Sequence, residues 1–145
     1  MRFMIMRKAD PNTEAGALPN QELLAAMGRY MEEMASAGIL LAGEGLRPTS
    51  EGVRVKFSRG KPTVTDGPFA EAKELVAGWC LIQVDSMEKA IEWVKRWPKI
   101  DGDGGVELEI RRLYEADDFG AEFTAELREN EERLRAQVAG SHQRS

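Results

Sequence analysis

Carboxylates beside glycines are the residues in this sequence whose types and spacing could do chemistry. Asp66 directly precedes Gly67-Pro68, which predicts a sharp turn. Glycine has no Cβ and so allows backbone conformations closed to other residues, and proline fixes φ. Glu44 lies between Gly43 and Gly45, where the backbone on either side carries no side chain. A carboxylate shielded from water has a raised pKa and could transfer a proton in an isomerase- or lyase-type reaction. We therefore take Asp66 as the first catalytic candidate and Glu44 as the second.

Aromatic and basic side chains supply candidate ligand contacts. Phe69, Trp79 and Tyr30 would line a cleft that holds a small apolar or aromatic molecule. Lys73 or Arg47 would stabilise an enolate-like negative charge beside it. The sequence thus indicates either a ligand-binding site or a proton-transfer site that requires no cofactor.

Each candidate acid or base also has a structural interpretation. The Asp66 carboxylate could accept backbone N–H groups of its own turn, as Asx residues do. Lys73 and Glu71 could form surface ion pairs on a short helical turn, and Glu44 could face solvent from a strand. The sequence alone leaves both interpretations open.

Composition excludes several classes of site and partner. The 145 residues suit one domain with a real core, and the net charge of −5 argues against a nucleic-acid partner. Cys80 and His142 are the single cysteine and histidine, so nucleophilic triads and metal clusters are not expected. Cys80 lies in an apolar run and should be buried and inert. The charged amino end and the absence of a long apolar run predict a cytoplasmic protein without a membrane partner.

The elements that position these residues follow from hydrophobic periodicity. A helix is predicted at 21–37, with Asn20 as its N-cap and Gly38 as the residue of left-handed backbone conformation that ends it. A second helix is predicted to start after Asp85, which would be its N-cap and form a capping box with Glu88. Residues 8–19 are expected to form a loop, and the acids and glycines at 101–104 a solvated turn. Strands are predicted at 3–7, 39–46, 53–58, 62–65, 76–84 and 106–111, and a charged helix from 121.

This order predicts an α+β fold of the ferredoxin-like type, an antiparallel sheet with two covering helices and an added hairpin. The strand at 3–7 is apolar on both faces, so it should be central. Met4 and Met6 would face away from the helices and need a cover, which predicts a homodimer. Residues 1–114 would form the domain. Residues 115–145 would form a charged helical extension whose thin apolar stripe leans on the domain or on a protein partner.

A nine-residue motif carries a family resemblance. Asp66-Gly67-Pro68-Phe69-Ala70-Glu71-Ala72-Lys73-Glu74, followed by Gly78-Trp79, resembles the signature of the DGPF-domain branch of the YCII-related family. The block Leu41-Ala42-Gly43-Glu44-Gly45-Leu46-Arg47-Pro48 is similar to a second block of that family. The resemblance implies a bacterial protein with a dimeric α+β barrel. Some relatives are encoded beside sigma factors of the extracytoplasmic-function type.

The resemblance also bears on function. The resemblance implies an aspartate that is paired with a histidine in the dimer cleft of relatives in the wider family. Asp66 matches that aspartate, whereas His142 lies outside the matching region. We therefore expect a homodimeric small-molecule-binding or regulatory module associated with sigma-factor systems. The alternative is a cofactor-independent isomerase or lyase that uses Asp66.

Overall fold

The computed structural model describes residues 1–142, apart from the side chain of Lys73. The chain forms two compact units, Met1–Leu113 and Tyr114–Ser145. The first unit contains a four-stranded sheet, a separate two-stranded hairpin and three helices. Its strands are β1 (Arg2–Lys8), β2 (Leu40–Gly45), β3 (Val53–Ser58), β4 (Lys61–Asp66), β5 (Val76–Gln83) and β6 (Leu108–Arg112), and its helices are α1 (Pro11–Glu14), α2 (Gln21–Ser36) and α3 (Met87–Val94).

The four-stranded sheet has the order β2-β5-β1-β6, and every neighbouring pair is antiparallel. This is the strand arrangement of the split βαβ, ferredoxin-like fold, so the predicted fold class is confirmed. The strand β1 is central, as its two apolar faces predicted. The hairpin β3–β4 forms a sheet of its own, and we call its residues 53–66 the arm.

The core lies on one face of the four-stranded sheet. Alternate residues of β1 are buried, and Phe3 and Ile5 pack with Cys80 and Ile82 of β5. The helices α2 and α3 cover this face with Tyr30, Met34 and Ala90. On the opposite face, four large apolar side chains are only partly buried: Met4, Met6, Trp79 and Leu81.

The ends of α2 form as the sequence predicted, whereas the start of α3 does not. The Asn20 side chain accepts a hydrogen bond from the Leu23 backbone N–H at 2.9 Å, and Gly38 has φ +74°. The predicted N-cap at Asp85 was wrong. Ser86 holds the extended backbone of a cap, and its hydroxyl accepts from the Lys89 N–H at 3.2 Å. With the helix starting one residue later, Glu88 is not in the position of a capping box.

Two predicted loops contain structure that the sequence analysis missed. Residues 8–19 include α1, which Asp10 caps by accepting from the Thr13 N–H at 2.8 Å. Residues 101–104 form a 3₁₀ turn in which Asp101 is only 5% exposed. The prediction of a solvated turn was therefore wrong at Asp101, because its carboxylate is paired inside the unit.

The second unit consists of a 3₁₀ segment, Ala116–Glu122, and the helix α4, Ala125–His142. The charged helix thus starts four residues later than predicted. The ring of Phe119 contacts those of Tyr114 and Phe123 in tilted pairs, with centroids 5.2 and 5.5 Å apart. Within residues 1–142, none of the helices has the length and apolar character to cross a membrane.

Candidate functional site

A broad, open cleft of about 1320 Å³ lies in the first unit. The strands β2 and β5 contribute residues 43–45 and 77–79 to it, and four of these six are glycine or alanine. The helix α2 supplies an apolar wall of Leu23, Leu24, Met27 and Met31. An apolar wall with a few charged groups is the usual composition of a small-molecule site.

A buried charge network also lines this cleft. The Arg7 guanidinium donates to both carboxylate oxygens of Asp101, at 2.7 and 3.2 Å, and to Asp10 at 3.0 Å. The Trp97 indole N–H donates to Asp101 at 2.9 Å. Burial alone would raise the pKa of Asp101, but the hydrogen bonds from Arg7 and Trp97 outweigh it and lower that pKa. Because every charge in the network has a close partner, the network holds the β1 end and the 101–104 turn together.

The sequence analysis missed this network, although one signal was available. Arg7 follows Phe3 and Ile5 at two-residue spacing, so in a strand its side chain lies on the buried face. A buried arginine needs an acidic partner. The partner could not be identified, because Asp101 lies 94 positions away in the chain.

Three of the residues predicted for the site lie around the cleft. Glu44 and Arg47 are exposed at its lining, and Trp79 is partly buried there. The Arg47 guanidinium forms an ion pair with Glu51 at 3.1 Å while its side chain stays 83% exposed. Glu44 pairs with Trp79 in the sheet, so the side chains of these two residues lie together on the face away from the core.

Other predicted residues are not among the described residues of the lining. Asp66 is exposed at the end of β4, opposite Val53. Phe69 is partly buried, with the Arg54 guanidinium 3.9 Å from its ring centroid. The Lys73 side chain lies outside the described part of the chain.

Tyr30 lies in the core instead of the cleft and is 4% exposed. Its hydroxyl donates to the Trp93 carbonyl at 2.6 Å, and its ring meets Trp97 edge to face at 5.5 Å. Burial raises the pKa of Tyr30 well above its usual value. These contacts fix the packing of α2 against α3.

The turn after Asp66 is anchored to the loop before the arm. The Gly67 N–H donates to the Gly52 carbonyl at 2.9 Å, and the Phe69 N–H donates to the Thr49 hydroxyl at 3.0 Å. Glu14 accepts from that hydroxyl at 2.6 Å and from the Thr49 N–H at 3.1 Å. A Cβ on Gly67 would lie 2.6 Å from the Thr49 carbonyl carbon, so this close approach requires glycine.

Cys80 is fully buried, as the sequence predicted, and burial raises the pKa of its thiol to about 11. A Cβ on Gly43 would lie 3.2 Å from the Cys80 Cβ, which accounts for a glycine in β2. The described residues contain no cluster of three His, Cys, Asp or Glu side chains arranged to hold a metal ion.

Similar proteins place this chain in a family. It is 35% identical over 75 residues to an uncharacterized protein of Rhizobium meliloti (strain 1021); the match covers 52% of this chain and 57% of that protein. A solved structure with 16% identity and a TM-score of 0.46 covers 81% of this chain and 98% of its own. It is the 5-chloro-2-hydroxyhydroquinone dehydrochlorinase of Burkholderia phenoliruptrix AC1100, in complex with 2,5-dihydroxybenzoquinone. Residues 1–114 match the YCII-related domain, and the chain belongs to the YCII-related family.

Proposed function

We propose that this chain is a homodimeric small-molecule-binding module that takes a small apolar or aromatic ligand. The observation that carries the proposal is the cleft, whose lining combines four apolar side chains of α2 with the exposed charged residues Glu44 and Arg47. The apolar wall would bury a ring, and a charged group at the rim such as Arg47 would orient its polar substituents. The ordered core beneath the cleft would keep this site largely preformed.

Ligand-observed NMR with small aromatic compounds tests the site. We would measure saturation transfer to benzoate, catechol and indole in the presence of the full chain. We expect transfer to at least one of them, because each is a flat ring with a polar edge. Absence of transfer to all three would contradict an aromatic-binding cleft.

A matched pair of variants tests whether the ligand binds in the cleft. Leu24 lines the cleft and is 58% exposed, and Leu134 of α4 is 60% exposed in the other unit. Leu24→Lys puts a charge against the apolar wall at little cost in folding, so we expect it to abolish the transfer. Leu134→Lys should leave it unchanged. Equal behaviour of the two variants would place the binding elsewhere.

The homodimer is part of the same proposal. Met4 lies opposite Leu81, and Met6 opposite Trp79, so these side chains form one apolar band on the face away from the core. Pairing this face with that of a second copy would remove the band from water. Analytical ultracentrifugation tests it: a dimer is expected, and a Met6→Lys chain should be monomeric at the same concentration.

In a regulatory role, ligand binding to the dimer would change how the dimer binds a protein partner. The resemblance to proteins encoded beside sigma factors supports this role, and α4 offers exposed Leu127, Leu134 and Val138 as a partner surface. Pull-down of a purified sigma factor of the extracytoplasmic-function type, with and without the aromatic ligand, tests it. Equal capture by a chain that ends at residue 113 would remove α4 from the interaction.

An isomerase or lyase is the second candidate, because Glu44 places a carboxylate at the cleft. In that reaction Asp66 would transfer the proton after a second copy encloses it, since it is exposed in the single chain. Asp66→Asn keeps the shape of the side chain and removes the base. Turnover of an aromatic substrate that survives in Asp66→Asn would rule this mechanism out.

A further inference from the structure

Two glycines on neighbouring strands leave part of the cleft without side chains from the sheet. Gly45 of β2 lies opposite Gly78 of β5, and Gly78 lies opposite Arg7 of β1. Residues that pair across strands point to the same face of a sheet, and Arg7 is buried on the face that α2 and α3 cover. Gly45 and Gly78 both line the cleft, and we call these two residues its floor.

The packing of the strands accounts for one of these glycines. A Cβ on Gly78 would lie 3.3 Å from the Glu44 carbonyl oxygen and 3.6 Å from the Gly45 Cα. The first distance is shorter than an ordinary van der Waals contact of a Cβ, so β2 would have to move to admit a side chain. Gly78 is therefore needed by the fold itself, as Gly43 is.

Gly45 differs, because the fold gives no reason for a glycine there. Apart from its chain neighbours, no atom of the described residues lies within 4 Å of a Cβ built on Gly45. Its φ is not in the left-handed region that favours glycine. The strand pairing continues past it without a bulge, since the Leu46 N–H donates to the Ala77 carbonyl at 2.8 Å. A side chain at position 45 would thus fit, and glycine in a strand costs stability.

A strand glycine of this kind marks a place where another group comes close to the backbone. The space above Gly45 belongs to the cleft, and α2, which covers the same face of the sheet, contributes Leu24, Met27 and Met31 to the lining. Met27 and Met31 pack against the core, whereas Leu24 stays 58% exposed. The cleft therefore offers bare peptide groups from the sheet together with apolar side chains from the helix.

We propose that Gly45 determines the ligand specificity of the cleft, because it lets a planar ring of the ligand lie directly on the backbone of the floor. The inference rests on the small-molecule site proposed above and adds the class of ligand. A planar unsaturated ring can place all its atoms at contact distance from the peptide groups, whereas a puckered saturated ring places only some of them there. A side chain at position 45 would occupy the space that the ring needs.

A matched pair of glycine-to-leucine variants tests the role of Gly45. Gly45→Leu fills the floor. Gly28→Leu adds the same side chain to α2, at a position that also has open space for a Cβ and is outside the described lining of the cleft. Both variants should melt at or above the wild-type temperature, because glycine is unfavourable within strands and helices. We expect saturation transfer to benzoate, catechol or indole to be lost in Gly45→Leu and kept in Gly28→Leu.

Gly45→Ala is the second variant, and it decides the question if Gly45→Leu melts below the wild type. It adds only the Cβ, which meets open space in the chain itself. We expect the dissociation constant of the bound compound, from an NMR titration, to rise about tenfold, as for overpacking of a close contact. An unchanged dissociation constant would overturn the inference.

Saturated analogues test the class of ligand. The wild type is titrated with the compound it binds and with the saturated form of that compound, which is cyclohexanecarboxylate for benzoate, cyclohexane-1,2-diol for catechol or octahydroindole for indole. We expect the saturated form to bind about tenfold more weakly, because fewer of its atoms reach the floor. Equal dissociation constants would overturn the requirement for a planar ring.

These outcomes separate the inference from the proposal it rests on. Saturation transfer that Leu24→Lys abolishes and Gly45→Leu keeps would overturn the role of Gly45 and leave the small-molecule site standing. No transfer from the wild type to any of the three compounds would overturn both. Because β2 is at the edge of the sheet, glycine could instead serve assembly, so ultracentrifugation of Gly45→Leu is included. A wild-type dimer that dissociates in Gly45→Leu would overturn the inference in favour of that explanation.

Discussion

Arg7 and Asp101 are the two charged residues that the described part of the chain buries, with exposures of 8% and 5%. Their bidentate contact satisfies two charges that would otherwise be costly to remove from water. Trp97 adds a third donor to the same carboxylate. The pair fastens the 101–104 turn to the central strand at the cleft.

Asp101→Asn should destabilise the protein strongly, because it leaves the buried Arg7 charge with only Asp10 as a partner. Loss of one member of a buried pair costs about 3 kcal/mol, the lower end of the usual range, since Asp10 keeps its contact. The measurement is the free energy of unfolding in urea. Asp103→Asn is the matched control, because Asp103 is exposed in the same turn; an equal loss there would contradict the role of the pair.

The same carboxylates predict how stability depends on pH. For Asp10 and Asp101 burial opposes ionisation, yet hydrogen bonds, among them those from Arg7, leave each pKa below its ordinary value. A carboxyl whose pKa is lowered in the folded state stabilises it above the unfolded pKa of about 3.9. This contribution is lost as pH falls through the folded pKa. Urea unfolding between pH 6 and 3 should therefore show a steeper loss in wild type than in Asp101→Asn, and parallel curves would contradict the linkage.

At the scale of elements, residue spacing predicted most of the fold. Apolar spacing located α2, alternation located the arm, and two apolar faces placed β1 at the centre. These patterns are local, so a single sequence contains them. The cleft was harder to predict: the candidate residues Glu44, Arg47 and Trp79 belong to its lining, but Tyr30 lies in the core. The packing of the helices on the sheet decides which aromatic side chains line a cavity. The spacing of residues along the chain does not contain this information.

Two glycines in different elements should respond to alanine in opposite directions. Gly67→Ala forces a Cβ against the Thr49 carbonyl, and such overpacking costs about 2 kcal/mol. Gly28 lies inside α2 with open space around its Cα, so Gly28→Ala should stabilise the protein by about 0.5–1 kcal/mol. Thermal and urea unfolding of both variants measure the two signs. A neutral Gly67→Ala would mean that the turn is not held against Thr49.

At the scale of the whole molecule, the core belongs entirely to the first unit. Its buried cluster runs from Phe3 to Trp97, and the side chains packed against it end at Ile110. In the second unit, the large apolar side chains of α4 stay 47% to 60% exposed, so they contribute little burial. We therefore expect the first unit to fold without the extension.

A chain that ends at residue 113 should unfold cooperatively, with a free energy of unfolding within about 1 kcal/mol of the full chain, the usual effect of changes away from the core. Circular dichroism during urea unfolding measures it, and the full chain with Leu127→Ala is the control for loss of one stripe residue. Ultracentrifugation of the shortened chain then shows whether the second unit takes part in assembly. A loss much larger than about 1 kcal/mol in the shortened chain would contradict the independence of the first unit.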